Sequence, residues 1–157
     1  MTRRSERIGR SGEYLTCSVL ARESDTVTVM PHTSHADVIF EWKHKLYRCQ
    51  VKTVTHIENR KKNWRFDLRK GITTTGRHYN KDQIDIIAMV NLEYQTICFK
   101  AFSDCQTTQI TIKDEIMKST NSIESLKEAM ESIILATNSR QDKNESTFGT
   151  KKTAING

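Results

Sequence analysis

The feature that most constrains the fold is the run DIIAMV at 85–90, in which five apolar residues follow one another over the length of a strand. A strand without polar alternation is typical of one that is covered on both faces. We therefore expect this run to lie centrally in a β-sheet. The run QTICFKAF at 95–102 is its expected hairpin partner across a short turn at 91–94.

A second pair of β-like runs, VIFEW and LYRCQV, flanks a short polar loop and predicts a hairpin covering 36–42 and 46–54. A short strand, TVTVM at 26–30, comes before it and is broken by Pro31. WRFDL alternates like a further strand, and Ile110 and Ile112 indicate another. Most of the regular structure between residues 26 and 112 is therefore expected to be β.

Two helices are expected to flank these strands. Residues 5–22 place apolar side chains at spacings of three and four, and a similar amphipathic pattern covers about 122–137. The order of one helix, then strands, then a helix predicts an α+β or mixed α/β domain over 1–137. From residue 138 the chain has almost nothing to bury, so 138–157 is expected to be a disordered tail.

The charge balance suggests an anionic partner, because the chain carries a formal net charge of +6. Nucleic acid is favoured over a membrane surface, since no apolar run approaches the length of a spanning helix. The N-terminus MTRRSERIGR lacks the apolar segment of a signal peptide, so an intracellular, non-secreted protein is expected. The four cysteines form no CxxC pair and are interpreted as reduced thiols rather than zinc ligands.

Polar residues interrupt the hairpin at one end. Side chains alternate along a strand, so Arg48, Gln50 and Lys52 share a face. Gln50 and Lys52, two residues and about 6.5–7 Å apart, can reach one bound phosphate. If Asp37 opens the neighbouring strand, it converges with them. Glu13 lies on the flank of the apolar surface of the first helix, where burial is costly unless a cation is near.

These residue types suit metal-assisted hydrolysis of a phosphodiester. Asp37, the Gln50 amide oxygen and the Val51 backbone carbonyl are the oxygen ligands that a hard cation such as Mg²⁺ prefers. Such a cation polarises a phosphate and acidifies bound water. Lys52 can stabilise the extra negative charge of the transition state.

The residues carrying this chemistry resemble those of the PD-(D/E)XK nuclease superfamily. Asp37 is followed thirteen residues later by Gln50-Val51-Lys52 and preceded by Glu13 on the first helix. The likeness is closest to the small group I intron homing endonucleases of this fold and to archaeal-type Holliday junction resolvases. It extends through WRFDL, Tyr79 and the segment DQIDIIAMV, so it covers roughly residues 8–102.

The resemblance implies a restriction-endonuclease-like core with a central mixed β-sheet flanked by helices. Glu13, Asp37, Gln50 and Lys52 match the helix acid, the motif Asp, the (D/E) position and the Lys of that family. Gln50 departs from the usual acid, as in the QVK version of the motif, and shifts more of the metal binding to Asp37 and Glu13. The resemblance also implies Mg²⁺, with Mn²⁺ as a substitute, double-stranded DNA as substrate, and a homo-oligomer, either dimer or tetramer.

Basic residues downstream of the motif are candidates for DNA contact. The run at 60–70 has aromatic residues interleaved, and the following loop offers two further candidates; together they are Arg60, Lys61, Lys62, Arg65, Arg69, Lys70, Arg77 and His78. The alternative for a charge run of this kind is a solvated loop, and DNA contact is favoured because the run directly follows the candidate site. The N-terminal arginines are interpreted either as a further phosphate-binding arm or as a frayed tail. His35 is the histidine nearest the motif in sequence, and it is interpreted as a turn residue rather than a metal ligand.

The leading interpretation is a Mg²⁺-dependent, site-specific DNA endonuclease of the homing type. A Holliday junction resolvase is the enzymatic alternative, and it would recognise branched shape instead of sequence. A nuclease-fold DNA-binding protein, with catalysis weakened by Gln50, is an alternative from another class. Apart from the resemblance, Asp37 could simply begin a strand while Gln50 and Lys52 form a solvated strand face.

Overall fold

The computed structural model describes residues 2–56, 62–69, 79–80 and 82–149. Along the chain these residues form the following elements: α1 (Arg3–Leu20), β1 (Val27–Val29), β2 (Val38–Trp42), β3 (Lys45–Val54), β4 (Asn63–Asp67), β5 (Ile86–Asn91), β6 (Thr96–Ala101), a 3₁₀ turn (Phe102–Asp104), β7 (Gln109–Lys113), α2 (Asp114–Ser119) and α3 (Ser122–Gly149). None of these helices combines the length and the apolarity that crossing a membrane requires.

The main sheet has five strands in the order β1-β2-β3-β5-β6. Only the β3–β5 pair is parallel, and the other neighbours are antiparallel, so the sheet is mixed. All six residues of β5 are buried, and the strand has a neighbour on each side. The expected central position of the apolar run is confirmed, and so is the predicted class of a mixed sheet flanked by helices.

The β2–β3 hairpin turns through two residues with a left-handed backbone. Lys43 and His44 have φ of 48° and 65°. Two positive φ values in a two-residue loop are typical of a type I′ turn, whose twist matches that of the flanking strands. The turn fixes the register, which pairs Val38 with Cys49.

The two faces of the sheet are covered differently. On one face α1 packs on β3 and α3 packs along β6, over a core that includes Phe40, Cys49, Val51 and Leu126. The opposite face is covered by a small two-stranded sheet, in which β4 pairs with β7, and by α2. Among its described residues, the link from β3 to its parallel neighbour β5 contains a strand, β4, that belongs to this second sheet.

Helix α1 lies unusually close to β3. Thr2 caps its N-terminus by accepting a hydrogen bond from the Ser5 N–H at 3.3 Å. A Cβ added at Gly12 would lie 1.9 Å from Oγ1 of Thr53, so only glycine permits this approach. The contact fixes both the depth and the rotation of the helix on the sheet.

The outer edge of β6 is closed by two serines of α3. The backbone N–H of Ile97 donates to Oγ of Ser122 at 2.9 Å, and that of Phe99 donates to Oγ of Ser125 at 2.8 Å. These hydroxyl groups take the place of a further strand. Backbone groups that would otherwise be left open on this edge are therefore satisfied.

Two elements differ from the expectation. Helix α3 begins where predicted but ends at Gly149, so the predicted disorder of 138–149 is wrong; residues 150–157 lie outside the described residues. Apart from Phe148 the segment lacks apolar residues, but it contains no proline and no glycine before Gly149, and a helix already nucleated by packing extends at little cost. The short helix α2 was not expected, because its six residues are too few to show a clear period.

Candidate active site

Asp37 and Gln50 meet at the open end of the β2–β3 hairpin. Because β2 begins at Val38 opposite Cys49, the next residue outward, Asp37, lies beside Gln50. Oδ2 of Asp37 accepts a hydrogen bond from Nε2 of Gln50 at 2.5 Å and another from the Val51 N–H at 2.8 Å. The predicted convergence of these residues is therefore present in the structure.

The backbone of Val51 faces the same place. Within a strand the N–H and the C=O of one residue point to the same edge, and those of the next residue point to the other. The Val51 N–H points toward Asp37, so its carbonyl lies on this edge of β3 too. The carbonyl predicted as a metal ligand therefore lies on the part of this edge that extends beyond the start of β2.

Gln50 has an acceptor atom without a partner. The side chain is 6% exposed, and among the described residues its Oε1 is buried with no hydrogen-bond donor. A buried acceptor left unsatisfied costs about 1–3 kcal/mol. A cation bound beside Asp37 would satisfy this atom, so the orphaned oxygen fits the ligand role predicted for Gln50.

The donor set fits a hard cation better than a soft one. Within the described ranges no three His, Cys, Asp or Glu side chains cluster closely enough to hold a metal by themselves. The available atoms are two carboxylates, from Asp37 and Glu13, together with an amide and a backbone oxygen. Such an all-oxygen set, completed by water, is the kind that Mg²⁺ accepts.

Glu13 is brought toward the site by the close packing of α1. It follows Gly12 and is half-buried. Burial raises the pKa of Glu13, and the charge of Asp37 raises it further. Burial likewise raises the pKa of Asp37, against the opposing effects of the Val51 hydrogen bond and of Lys52. Two carboxylates that disfavour each other's charge in a half-buried site would be stabilised by a divalent cation.

Lys52 is held on the opposite face of β3 from Cys49 and Val51. Its Nζ donates a hydrogen bond to the Arg69 carbonyl at 3.0 Å and lies 5.5 Å from the centroid of the Tyr79 ring. Burial lowers the pKa of Lys52, while the charges of Asp37 and Asp67 act in the opposite direction. The ammonium group is thus held in place within the electrostatic reach of Asp37.

Tyr79 forms a wall of the same site. Burial and the nearby charge of Asp37 raise the pKa of Tyr79 to about 12. Its hydroxyl group therefore stays protonated at neutral pH and can act only as a neutral donor or acceptor there. The ring contact with Lys52 accounts for part of the positioning of that ammonium group.

The residues predicted to contact DNA are only partly described. Lys62 and Arg65 are exposed, and Arg65 projects from the outer face of β4 because Trp64 and Phe66 point inward. Nε of Arg69 donates to Oδ1 of Asp67 at 2.9 Å, so its guanidinium is engaged within the chain. The remaining predicted contacts lie outside the described residues: Arg60, Lys61, Lys70, Arg77 and His78.

Two features of the site were not anticipated from the sequence. His32 is the histidine that acts on the carboxylates, since its charge opposes the raised pKa of both Glu13 and Asp37. In the sequence His35 is the histidine nearest the motif and is interpreted as a turn residue, whereas His32 comes close to the carboxylates only through the turn after β1. The carbonyl of Arg69, the acceptor for Lys52, carries no sequence signal at all.

A second aspartate occupies the mirror position across β3. Asp85 directly precedes β5, as Asp37 precedes β2. Oδ2 of Asp85 accepts the Arg48 N–H at 2.8 Å and its Nε at 3.0 Å, while Oδ1 accepts a terminal nitrogen of the same guanidinium at 3.0 Å. Asp85 is therefore neutralised by an arginine of β3.

The fold is similar to that of a solved nuclease. The chain superposes on the structure of a bacterial homing endonuclease, I-Ssp6803I, with a TM-score of 0.61 and 16% sequence identity over 87% of this chain and 97% of that one. No protein-family model matches the chain, and no curated protein matches it by sequence. At this identity the likeness establishes a homing-endonuclease-like fold.

Proposed function

We propose that the protein is a metal-dependent DNA endonuclease of the PD-(D/E)XK type, carrying the QVK version of the motif. The observation that carries this proposal is the meeting of Asp37, Gln50 and Val51 at the open end of the hairpin, where the amide oxygen of Gln50 is buried without a partner among the described residues. The likeness of the fold to a homing endonuclease supports it. A net charge of +6 suits a nucleic-acid substrate.

Each residue has a task in this proposal. Asp37 and Glu13, with Oε1 of Gln50 and the Val51 carbonyl, hold Mg²⁺ or, in its place, Mn²⁺. When bound, the cation supplies Lewis-acid chemistry for phosphodiester hydrolysis. Lys52 donates a hydrogen bond to a phosphoryl oxygen and stabilises the charge that develops there. The Val51 N–H keeps the carboxylate of Asp37 in orientation.

Lys52 can reach a phosphate without disturbing the sheet. Its present hydrogen bond is to a backbone carbonyl, that of Arg69, at the exposed end of the side chain. A neutral acceptor of this kind is readily exchanged for an anionic one, because a hydrogen bond between charged groups is the stronger. The same carbonyl keeps the ammonium group near Asp37 while substrate is absent.

A site-specific homing enzyme acting on double-stranded DNA is the form of the activity that we propose first. One active site of this kind cuts one strand, so a double-strand break requires at least two copies of the chain. A dimer or a tetramer is therefore part of the proposal. A Holliday junction resolvase and a binding protein without cleavage are the outcomes that the experiment distinguishes from it.

Cleavage of DNA by the purified chain tests the proposal directly. Mixed-sequence plasmid and a four-way junction are each incubated with the protein in Mg²⁺, in Mn²⁺ and in EDTA. We expect metal-dependent cleavage of linear or plasmid DNA that Lys52→Ala reduces by about 10²–10³-fold, the usual cost of removing one electrostatic stabiliser. DNA affinity should change little.

A matched control is available on the same strand. Lys45 is an exposed lysine at the other end of β3, so Lys45→Ala removes the same charge away from the site. It should cleave at the rate of the parent chain. Cleavage in EDTA, or cleavage by Lys52→Ala at the rate of Lys45→Ala, would contradict the proposed site. Cleavage of junctions alone, or binding without cleavage, would select one of the two alternatives.

A further inference from the structure

The outer face of α1 carries a row of basic side chains that ends in an aromatic one. Arg3, Arg7, Arg10 and Tyr14 are separated by four, three and four residues, so they lie on one face of the helix. All four are exposed, and Tyr14 exposes 60% of its surface. These four residues are called the α1 stripe below.

The packing of α1 fixes where the stripe points. The buried residues of the helix are Gly12, Thr16 and Leu20. Tyr14 is two residues from Gly12 and from Thr16, which is about 200° around the helix, so the stripe faces away from the sheet. Gly12, whose approach to Thr53 leaves no room for a Cβ, lies on the side of the helix that contacts β3, opposite Tyr14.

The charge of the stripe is not neutralised within the described part of the chain. The ion pairs formed there join His44 to Glu41, Arg48 to Asp85 and Arg69 to Asp67, and none involves α1. Arginines near a helix N-terminus also oppose the helix dipole, and Glu6 is the only acid in the first turn. A surface that disfavours its own helix and forms no ion pair with the described residues points to an anionic partner outside the chain.

The stripe also ends beside the candidate active site. Glu13 lies between Arg10 and Tyr14 in sequence, on the flank of the helix that turns toward Asp37. A polyanion with one phosphate at Asp37 could therefore continue along the outer face of α1.

We propose that the α1 stripe binds the sugar–phosphate backbone of DNA on one side of the scissile phosphate. This inference rests on the proposed function and adds a substrate-binding surface to it. Arg3 to Arg10 spans seven residues and about 10 Å. One DNA strand presents a phosphate about every 3.4 Å of axis, so the three arginines can bind about three phosphates. Tyr14 closes the row next to the site.

An anionic membrane is a poorer match to this surface. A helix that lies on a bilayer inserts an apolar face between the lipids. The apolar face of α1 is already packed on the sheet, where Leu20 is 0% exposed. What remains outside is charged side chains, serines and a single tyrosine, which suits a solvated polyanion.

The test compares two triple variants of equal charge. The stripe variant carries Arg3→Gln, Arg7→Gln and Arg10→Gln, and the control carries Arg4→Gln, Arg22→Gln and Lys45→Gln. Arg4 is exposed on the same helix but off the stripe, and the other two control positions are exposed elsewhere. Glutamine keeps a helix propensity close to that of arginine, so far-ultraviolet circular dichroism should match the parent in both.

Binding is measured by fluorescence anisotropy of a labelled duplex in EDTA, over a range of salt concentrations. We expect the slope of log K against log salt to flatten by about two to three units in the stripe variant, because each arginine removed leaves about one phosphate unneutralised. The control should retain the slope of the parent. Equal slopes in the two variants would overturn the inference, and so would an absence of duplex binding by the parent.

The same proteins separate this inference from the proposed function. If the parent binds duplex with a stripe-dependent slope but cleaves nothing in Mg²⁺, the inference stands and the endonuclease proposal fails. If the parent cleaves DNA and the stripe variant shows the same slope of log K against log salt as the parent, the endonuclease proposal stands and the inference fails. If the stripe variant loses the parent's binding to phosphatidylserine vesicles but binds duplex as the parent does, the stripe is a membrane-binding surface and the inference is overturned.

Discussion

Asp37 and Asp85 stand on opposite sides of β3 in nearly equivalent positions. Each directly precedes a strand next to β3, and each accepts one backbone N–H of β3 at 2.8 Å. They differ in the second partner, since Asp85 has the guanidinium of Arg48 whereas Asp37 has the neutral amide of Gln50. One carboxylate is paired directly with an arginine of the sheet, whereas the other has a neutral amide as its side-chain hydrogen-bond partner and Lys52 acting on it from a distance.

This difference separates a structural acid from a candidate catalytic one. A carboxylate paired with an arginine has little left to offer a metal ion. A half-buried carboxylate beside another carboxylate and an amide is costly in isolation and is stabilised when it binds a cation. The position at the head of a strand is common to the two aspartates, and their side-chain partner on β3 is what distinguishes them.

The largest expected effect comes from exchanging each aspartate for asparagine. Asp37→Asn should reduce cleavage by about 10³-fold or more, because several kcal/mol of transition-state stabilisation depend on the cation. Without metal it should not lower the melting temperature, since asparagine keeps an acceptor for the Val51 N–H and removes a buried charge. Single-turnover cleavage and thermal unfolding in EDTA measure the two effects.

Asp85→Asn is the matched control and should show the opposite pattern. It leaves the Arg48 guanidinium without its ion pair and should cost about 1.5–3 kcal/mol of stability, as for other hydrogen bonds to charged groups. That loss corresponds to a melting temperature lower by several degrees in a chain of 157 residues. Cleavage by the folded fraction should remain near that of the parent. The comparison would be refuted if Asp85→Asn lost cleavage with unchanged stability while Asp37→Asn lost stability with unchanged cleavage.

An intermediate effect is expected from changing the partner of Asp37. Gln50→Glu adds a negative charge without changing the reach of the side chain, so it should tighten Mg²⁺ binding. If the added attraction is worth about 1.4 kcal/mol, half-maximal cleavage should occur at about tenfold lower Mg²⁺. The Mg²⁺ concentration that raises the melting temperature should fall in parallel, which gives a second measurement independent of cleavage.

The same variant distinguishes two roles of Lys52. A carboxylate at position 50 should raise the pKa of the ammonium group, because an opposite charge nearby favours the charged form. If Lys52 acts as a general base, the pH optimum should move upward; if it acts as an electrostatic stabiliser, the optimum should stay. Gln50→Ala is the control and should need more Mg²⁺. Parental behaviour of both variants at every Mg²⁺ concentration would remove Gln50 from the metal site.

The smallest effect is expected at Asp67, whose ion pair with Arg69 is exposed to solvent. Its hydrogen bonds with Arg69 lower the pKa of Asp67 to about 2 from an ordinary 3.8. An acid with a lowered pKa stabilises the fold above its unfolded pKa, and that stability is lost as the pH falls through about 4 to 2. Asp67→Asn should therefore be slightly less stable than the parent at pH 7 and equally stable near pH 2.

Asp67→Asn should also slow cleavage, but only by about twofold, because exposed ion pairs contribute little. The Asp67–Arg69 pair holds the turn whose carbonyl accepts the hydrogen bond from Lys52. Urea unfolding at the two pH values and a single-turnover rate give the measurements. If the difference in unfolding free energy between Asp67→Asn and the parent is as large at pH 2 as at pH 7, the Asp67–Arg69 ion pair is not the cause of that difference.

The sequence predicted most of the main sheet because its strands have apolar patterns of their own. β5 shows one directly, and the β2–β3 hairpin shows two β-like runs around a short loop. The pairing of β4 with β7 could not be predicted, since 63–67 and 109–113 are far apart in sequence and their contact depends on the whole sheet being formed. The extent of α3 beyond residue 137 was missed because a solvated helix leaves no apolar period.

The candidate site likewise has a part that the sequence predicts and a part that it does not. Spacing along a strand places Gln50 and Lys52 on one face, and that much follows from the sequence. The register that sets Asp37 beside Gln50 depends on the turn at Lys43 and His44, which have no glycine or asparagine to announce it. His32 and the carbonyl of Arg69 reach the site only through the path of the chain between elements.

The two serines that close β6 have a consequence for how the protein behaves in a concentrated solution. An edge strand with free N–H groups is a template on which another extended chain can add and begin an aggregate. Ser122 and Ser125 occupy those donors from within the molecule, while the opposite edge, β1, is only three residues long. Neither end of the main sheet therefore offers a long open edge on which a strand of another molecule could add.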